Sequence, residues 1–100
     1  MGGMFCGCKE LKKINGIENF ETPQVNDMRC MFYGCKELEN LDLSKFITSK
    51  VTNMNGMFYD CNKLKKINGI ENFDISQVND MGNMFYGCKE LENLDLSRFL

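Results

Sequence analysis

The 100-residue chain contains no histidine and no tryptophan. Without histidine it has no Ser-His-Asp triad, no metal site built on imidazole and no imidazole acid–base catalyst. The phosphate-binding patterns G-x-G-x-x-G and G-x-x-x-x-G-K-S/T are also absent. Pairs of carboxylates remain as candidate catalytic groups. The same side chains recur in successive units, however, whereas an active site usually requires one unit to differ from the others. The sequence therefore predicts a protein that is not an enzyme and that holds no cofactor.

An excess of positive charge and a long apolar run are both missing. The formal net charge is −2, so the basic surface of a nucleic-acid-binding protein is not expected. No apolar stretch reaches the length of a membrane span, and the N-terminal MGGMFCGCKE does not resemble a signal peptide. The chain begins and ends inside a repeat, which indicates a segment of a longer repeat protein.

The sequence consists largely of one repeated unit. MFYGCKELENLDLSKF at 31–46 returns at 84–99 with only Lys45 exchanged for Arg98, and looser versions occupy 4–20 and 57–73. The methionines that start the units are 27, 26 and 27 residues apart, a period typical of repeat architectures. We expect a single array over 1–100 with repeats at 4–30, 31–56, 57–83 and, in part, 84–100.

Each unit changes its apolar spacing partway along. Val51, Met54 and Met57 recur at a helical spacing, whereas Leu41 and Leu43 alternate with a polar residue as in a strand. Gly7, Gly34 and Gly87 suit the left-handed residue that ends a helix, and Asp60 is a less favourable residue at the same position. The pattern predicts an α/β repeat solenoid with one short parallel strand and one short helix per 26–27-residue unit, curved with the strands inside.

Stacking the units in register predicts the core and one irregularity. The glycine in Ile67-Asn68-Gly69-Ile70, an extra residue relative to Leu41-Asp42-Leu43, predicts a strand bulge. The apolar columns are Met28/Met54/Met81, Phe5/Phe32/Phe58/Phe85, Leu11/Leu38/Leu64/Leu91, Ile14/Leu41/Ile67/Leu94 and Phe20/Phe46/Phe73/Phe99.

The recurring pattern M-F-x-G-C-x-x-L-x-x-L-D-L-S-x-F, followed by x-T-S-x-V-x-x-M as in residues 31–54, resembles the BspA-like leucine-rich repeats of bacterial and protist surface proteins. The resemblance covers essentially the whole chain, although two units carry I-N-G-I in place of L-D-L-S. It implies a leucine-rich-repeat-like solenoid at the cell surface or outside the cell, with a role in adhesion or protein recognition. The family's motif contains no catalytic residue, so the resemblance assigns none.

The six cysteines divide into two groups. Cys8, Cys35, Cys61 and Cys88 form one column, whose parallel side chains favour buried thiols over the converging ligands of a zinc site. Cys6 and Cys30 interrupt other columns. Neighbouring units bring these two near each other, so a disulfide and a pair of thiols both remain open.

The charged residues form a column of alternating sign, Lys12, Glu39, Lys65 and Glu92. Opposite charges on neighbouring units explain why two unit types alternate. We interpret this column as solvated weak ion pairs, each contributing about 0–1 kcal/mol.

The candidate protein contacts are exposed polar and aromatic residues. They are Tyr33, Tyr59 and Tyr86, and the strand residues Asn40, Asp42, Asn93 and Asp95. The tyrosines either form a platform for a ligand or lie over lysine stems and neighbouring helices. A calcium site at the Asn15/Asp42/Asn68/Asp95 column competes with solvated side chains in turns, and no metal site is predicted because Ca²⁺ needs six to eight converging oxygens.

Together these features predict a non-enzymatic, surface-displayed module for protein binding or adhesion. The expected partner is a host or matrix protein, with no nucleic acid and no membrane span in this segment. The alternative is a structural subunit that self-associates end to end into a fibre or larger assembly, because repeat arrays without polar caps tend to associate.

Overall fold

The computed structural model describes residues 24–91. Their regular elements are strand β1 at Asn40–Asp42, strand β2 at Lys66–Asn68 and a 3-10 helix at Ile70–Asn72. The two strands pair in parallel, with Leu41 opposite Ile67. The middle residue of each strand is buried and its two neighbours are exposed, as an alternating pattern requires.

The predicted α/β repeat solenoid is wrong. Between residues 24 and 91 there is no α-helix, and the strands are only three residues long. The segment expected to be helical, from Val51 to Asp60, is a series of turns. The leucine-rich-repeat-like architecture with one helix per unit, which the resemblance implied, is therefore not the fold of these residues.

Left-handed backbone residues explain why the helix does not form. Cys30 and Gly34, four residues apart at the junction of two repeats, have φ of 52° and 72°. An α-helix requires negative φ at every position, so these residues break it twice. The same pair recurs in the next two units as Gly56/Asp60 and Asn83/Gly87. The left-handed conformations expected at Gly34, Asp60 and Gly87 are thus confirmed, although they do not end helices.

Backbone hydrogen bonds join successive units instead of closing helical turns. The Phe32 N–H donates to the Met57 carbonyl at 2.8 Å, and the Phe58 N–H donates to the Met84 carbonyl at 2.9 Å. In these turns the N–H groups that alternate with the inter-unit donors close local turns, as from Tyr33 to the Cys30 carbonyl at 3.2 Å. Apolar residues at a helical spacing are therefore turned inward by tight turns, which periodicity alone cannot distinguish from a helix.

The core consists of the apolar columns, and each predicted pair of neighbours between residues 28 and 73 is buried. Phe58 lies between Phe32 and Phe85, with ring centroids 5.6 and 5.3 Å apart and nearly parallel planes. The remaining buried side chains include Met28, Met54, Leu38, Leu64, Leu41, Ile67, Phe46 and Phe73.

Gly69 lies in a turn and not in a strand bulge. Strand β2 ends at Asn68, and Gly69 has φ of 91° immediately before the 3-10 helix. A Cβ at this position would lie 2.5 Å from the Ser44 Cα and 2.6 Å from the Ser44 nitrogen. The extra residue of this unit is accommodated because glycine permits both the positive φ and the close approach to the preceding unit.

The described part of the thiol column is buried at Cys35 and Cys61 and partly buried at Cys88. Cys35 and Cys61 are fully buried, and the Cys61 thiol donates to the Phe32 carbonyl at 3.1 Å. The Cys88 thiol repeats this bond to the Phe58 carbonyl at 3.0 Å. The expected buried thiols are therefore confirmed at Cys35 and Cys61, while Cys8 lies outside the described residues.

The buried thiols should resist alkylation in the native protein. Burial raises the pKa of Cys61 and raises that of Cys88 to about 11, and the thiolate is the reactive species. We expect Cys35 and Cys61 to be modified by iodoacetamide only after denaturant is added. Peptide mass spectrometry of samples quenched with and without denaturant measures this, and rapid native labelling of Cys61 would contradict the burial.

The predicted alternative of a Cys6–Cys30 disulfide stays a prediction. Cys30 is partly exposed, and Cys6 lies outside the described residues. The same alkylation measurement counts the thiols of the whole chain, and six modified cysteines would rule the bridge out.

Candidate functional site

Three tyrosines form a continuous stack on the surface. Tyr33, Tyr59 and Tyr86, called here the tyrosine ladder, occupy the same position in successive units. The Tyr33 and Tyr59 ring centroids are 4.7 Å apart with planes 3° from parallel. The Tyr59 and Tyr86 centroids are 5.0 Å apart at 16°. The sequence named all three residues, and the structure brings them together.

The turn between the two left-handed residues positions each tyrosine. Within Cys30 to Gly34, Phe32 points into the core while the next residue, Tyr33, remains at the surface. The inter-unit bond from each phenylalanine N–H fixes the step between units, so the next residue repeats at the same interval. The phenylalanine stack inside and the tyrosine ladder outside therefore share one spacing.

The rings of the ladder are unequally exposed. Tyr33 is 36% exposed and Tyr86 is 62% exposed, whereas Tyr59 is half-buried between them. The rings do not lie over neighbouring helices, as one interpretation predicted, because the described residues contain no α-helix. Each ring stacks on the equivalent ring of a neighbouring unit instead. The outer edges nevertheless remain accessible, so the stack is also a surface that a partner can contact.

The electrostatic surroundings keep the central phenol protonated. Loss of solvent raises the pKa of Tyr59, and the neighbouring Tyr33, Asp60 and Tyr86 raise it further when they carry negative charge. At neutral pH the Tyr59 hydroxyl therefore retains its proton.

Tyr59 should titrate above the ordinary range of tyrosine. Because the pKa of Tyr59 is raised in the folded state, the protonated phenol contributes stability below the unfolded value of about 10, and this contribution is lost as pH rises through the folded value. Absorbance at alkaline pH follows the ionisation. In Tyr59→Phe the latest part of the titration should disappear, and an unchanged curve would contradict the assignment.

Two of the four strand residues predicted to contact a partner protein lie within the described part of the chain. Asn40 and Asp42 are exposed on β1, on either side of buried Leu41. The Asp42 carboxylate accepts hydrogen bonds from the Ser44 hydroxyl at 2.6 Å and from the Ser44 N–H at 3.0 Å, and these bonds lower its pKa. Asp42 therefore closes a turn and offers less to a partner. Asn93 and Asp95 lie outside the described residues.

Opposite charges face each other between units, as predicted for one pair. Lys65 lies 3.8 Å from Glu39, while Lys12 and Glu92 of the same column lie outside the described residues. A second pair, Lys63 and Glu37 at 3.0 Å, is better formed, and sequence reasoning missed it. Both pairs are exposed, so we assign them a small effect on stability and a role in choosing which units become neighbours.

Sequence reasoning also missed the residues that start each turn. Asp27, Asn53 and Asp80 are bridged in parallel, and each side chain accepts the N–H of the residue two positions later. The signal was available, since Asp or Asn precedes each methionine of the Met28/Met54/Met81 column. The neutral Asn53 separates the two carboxylates, which avoids like charges on neighbouring units.

Asp42 pairs in register with Asn68, as the calcium hypothesis requires, but Asn15 and Asp95 of that column lie outside the described residues. Between residues 24 and 91 no cluster of three or more carboxylate or thiol side chains is arranged to hold a metal ion.

Over the same residues no helix has the length and apolar character needed to cross a membrane.

Comparison with known proteins gives one family match. A family model described as "Mycoplasma protein of unknown function, DUF285" matches residues 1–99. No curated protein matched the chain. No solved structure matched it either.

Proposed function

Since the chain belongs to the DUF285 family, whose description names no activity, we propose from its surface that it is a non-enzymatic protein-binding or adhesion module. The observation that supports this proposal is the tyrosine ladder. Tyrosine is enriched at protein interfaces because one rigid side chain combines apolar area with a hydroxyl that donates and accepts hydrogen bonds. Tyr86, at 62% exposure, is a large apolar side chain left accessible at the surface.

The scaffold suits a binding role because it holds the tyrosines rigidly. The rings stack on one another, and the phenylalanines beside them are buried in the core. Side chains that are already ordered lose little conformational entropy on binding. Display at the cell surface, with a host or matrix protein as partner, is part of the proposal and is supported by the resemblance to BspA-like surface repeats.

Binding to purified extracellular-matrix proteins tests the proposal. We expect saturable binding of the full chain to at least one member of the panel, and at least about 10-fold weaker binding when all three tyrosines are changed to serine. Ile47→Ser is the matched control, because Ile47 is 49% exposed and lies outside the ladder. Circular dichroism verifies that both variants are folded.

Two outcomes would overturn the proposal. One is the absence of saturable binding across the panel. The other is equal loss of binding in the ladder variant and the Ile47→Ser control, which would show that the ladder has no particular role.

A further inference from the structure

Two of the three Asn-Gly pairs of the chain lie within the described residues, Asn55–Gly56 and Asn68–Gly69. This dipeptide favours deamidation because glycine has no Cβ to shield its own backbone nitrogen. That nitrogen loses its proton and attacks the asparagine Cγ, a C–N bond forms, and the side-chain nitrogen leaves as ammonia. Water then opens the succinimide ring at either carbonyl, and the product is aspartate or isoaspartate.

Hydrogen bonds to both neighbouring units restrain the first pair. The Asn55 side-chain amide donates to Asp80 Oδ1 at 3.0 Å, and the Gly56 N–H donates to the Gly82 carbonyl at 2.9 Å. The Asn55 carbonyl accepts the Cys30 N–H at 2.9 Å. Ring closure rotates the asparagine Cα–C bond, which moves both the carbonyl oxygen and the following N–H. Deamidation of Asn55 in the folded chain must therefore break all of these bonds.

The second pair is less restrained. Asn68 is the exposed last residue of β2, and its carbonyl accepts the Leu43 N–H at 2.8 Å. Within residues 24–91 neither the Asn68 side-chain amide nor the Gly69 N–H has a hydrogen-bond partner. Both reacting groups are therefore available, and the rotation that closes the ring breaks only the bond from Leu43.

Conversion of Asn68 alters the pairing of β1 with β2. Asn68 is the register partner of Asp42, and both residues lie on the exposed face of the sheet. Paired strands are about 4.8 Å apart, so an aspartate at position 68 places two carboxylates opposite each other, which is unfavourable. Isoaspartate also adds a methylene to the backbone and takes the α-carbonyl out of the peptide bond, which displaces the acceptor of the Leu43 N–H.

We propose that Asn68 is a site of spontaneous deamidation and that its conversion weakens the pairing of β1 with β2. The close approach of Gly69 to the Ser44 backbone makes this contact between units sensitive to an added backbone atom. The modification is irreversible without a repair enzyme, so it limits the time for which the two units stay paired as in the newly folded chain.

Peptide mass spectrometry of the full chain during incubation in mildly alkaline buffer tests the site. Replacement of the amide NH₂ by OH changes the peptide mass, and labelling by an isoaspartate methyltransferase identifies the rearranged product. We expect conversion at Asn68 to be at least about 10-fold faster than at Asn55, because Asn55 must break more hydrogen bonds. In denaturant, where neither pair is restrained, the two asparagines should convert at similar rates.

Urea denaturation of fresh and aged protein measures the effect on strand pairing. We expect the aged chain to unfold at a lower urea concentration than the fresh chain. Asn68→Gln is the matched control, because glutamine keeps an exposed amide but closes a larger ring much more slowly, so ageing should shift its midpoint less. Asn68→Asp introduces the charge without the added methylene and should reproduce part of the shift.

Three results would reject the inference. The first is conversion of Asn55 in the folded chain as fast as that of Asn68. The second is an unmodified Asn68 in the folded chain after the denatured chain has converted. The third is the same shift in urea midpoint for aged wild-type protein and aged Asn68→Gln, which would place the damage at another residue.

Discussion

Gly69→Ala is expected to destabilise the protein by about 2–5 kcal/mol. The left-handed conformation at φ of 91° costs an alanine roughly 1–2 kcal/mol. The new Cβ would also lie 2.5 Å from the Ser44 Cα and 2.9 Å from the Leu43 carbonyl carbon. Because these are backbone atoms, no side-chain rotation relieves the contact, and moving them costs roughly 1–3 kcal/mol more.

Urea denaturation followed by circular dichroism measures this effect, with Gly82→Ala as the matched control. A Cβ at Gly82 would lie 3.0 Å from the Asn55 side-chain nitrogen and 3.3 Å from the Asp80 Oδ1. Both are side-chain atoms, so we expect a change within about 1 kcal/mol. Gly69→Asn separates the two causes, because asparagine tolerates positive φ but carries the same Cβ. Wild-type stability in Gly69→Ala would contradict the close approach between units.

Phe58→Ala is expected to cost about 3–5 kcal/mol, the range for removing a buried aromatic ring. Phe58 is fully buried and stacks on Phe32 at 5.6 Å and on Phe85 at 5.3 Å. Its removal therefore leaves a cavity between two units and breaks both ring contacts. The loss approaches the whole stability of a small domain, about 5–15 kcal/mol.

Two further substitutions make the measurement on Phe58 specific. Phe58→Leu keeps most of the buried volume and should cost less than the alanine variant. Ile47→Ala removes a side chain that is 49% exposed and should change stability by about 0.5 kcal/mol or less. If Phe58→Ala and Ile47→Ala unfold at the same urea concentration, the stacked phenylalanine column is not a main source of stability.

Much of the packing could be predicted from the repeat alone. Aligning the units placed Phe32 with Phe58, Leu38 with Leu64 and Cys35 with Cys61, and all six are buried. It also brought Tyr33, Tyr59 and Tyr86 into one set before their stacking was known. These predictions succeeded because residues at equivalent positions of stacked units are neighbours, whatever secondary structure the units adopt.

The secondary structure could not be predicted in the same way. Met54, Met57 and Phe58 fit a helical period, but a backbone turning at Gly56 and Asp60 buries the same residues. The pattern predicts helix ends at Gly34 and Gly87, because a single left-handed residue commonly marks the end of a helix. Each of these left-handed residues is preceded by another four positions earlier, at Cys30, Gly56 and Asn83. These three residues differ in type, so the sequence does not reveal the shared conformation.

The sequence by itself determined the repeat, its apolar and thiol columns, the alternating charges and the identity of the surface tyrosines. Each of these follows from which residue recurs at which interval. Only the tertiary structure decided that alternate N–H groups bond to the next unit and do not form helices, that Gly69 touches the Ser44 backbone, and that the tyrosines stack at 4.7 and 5.0 Å. The physical reason is that a backbone N–H can donate within its unit or to the next one, and only the folded chain determines which acceptor it meets.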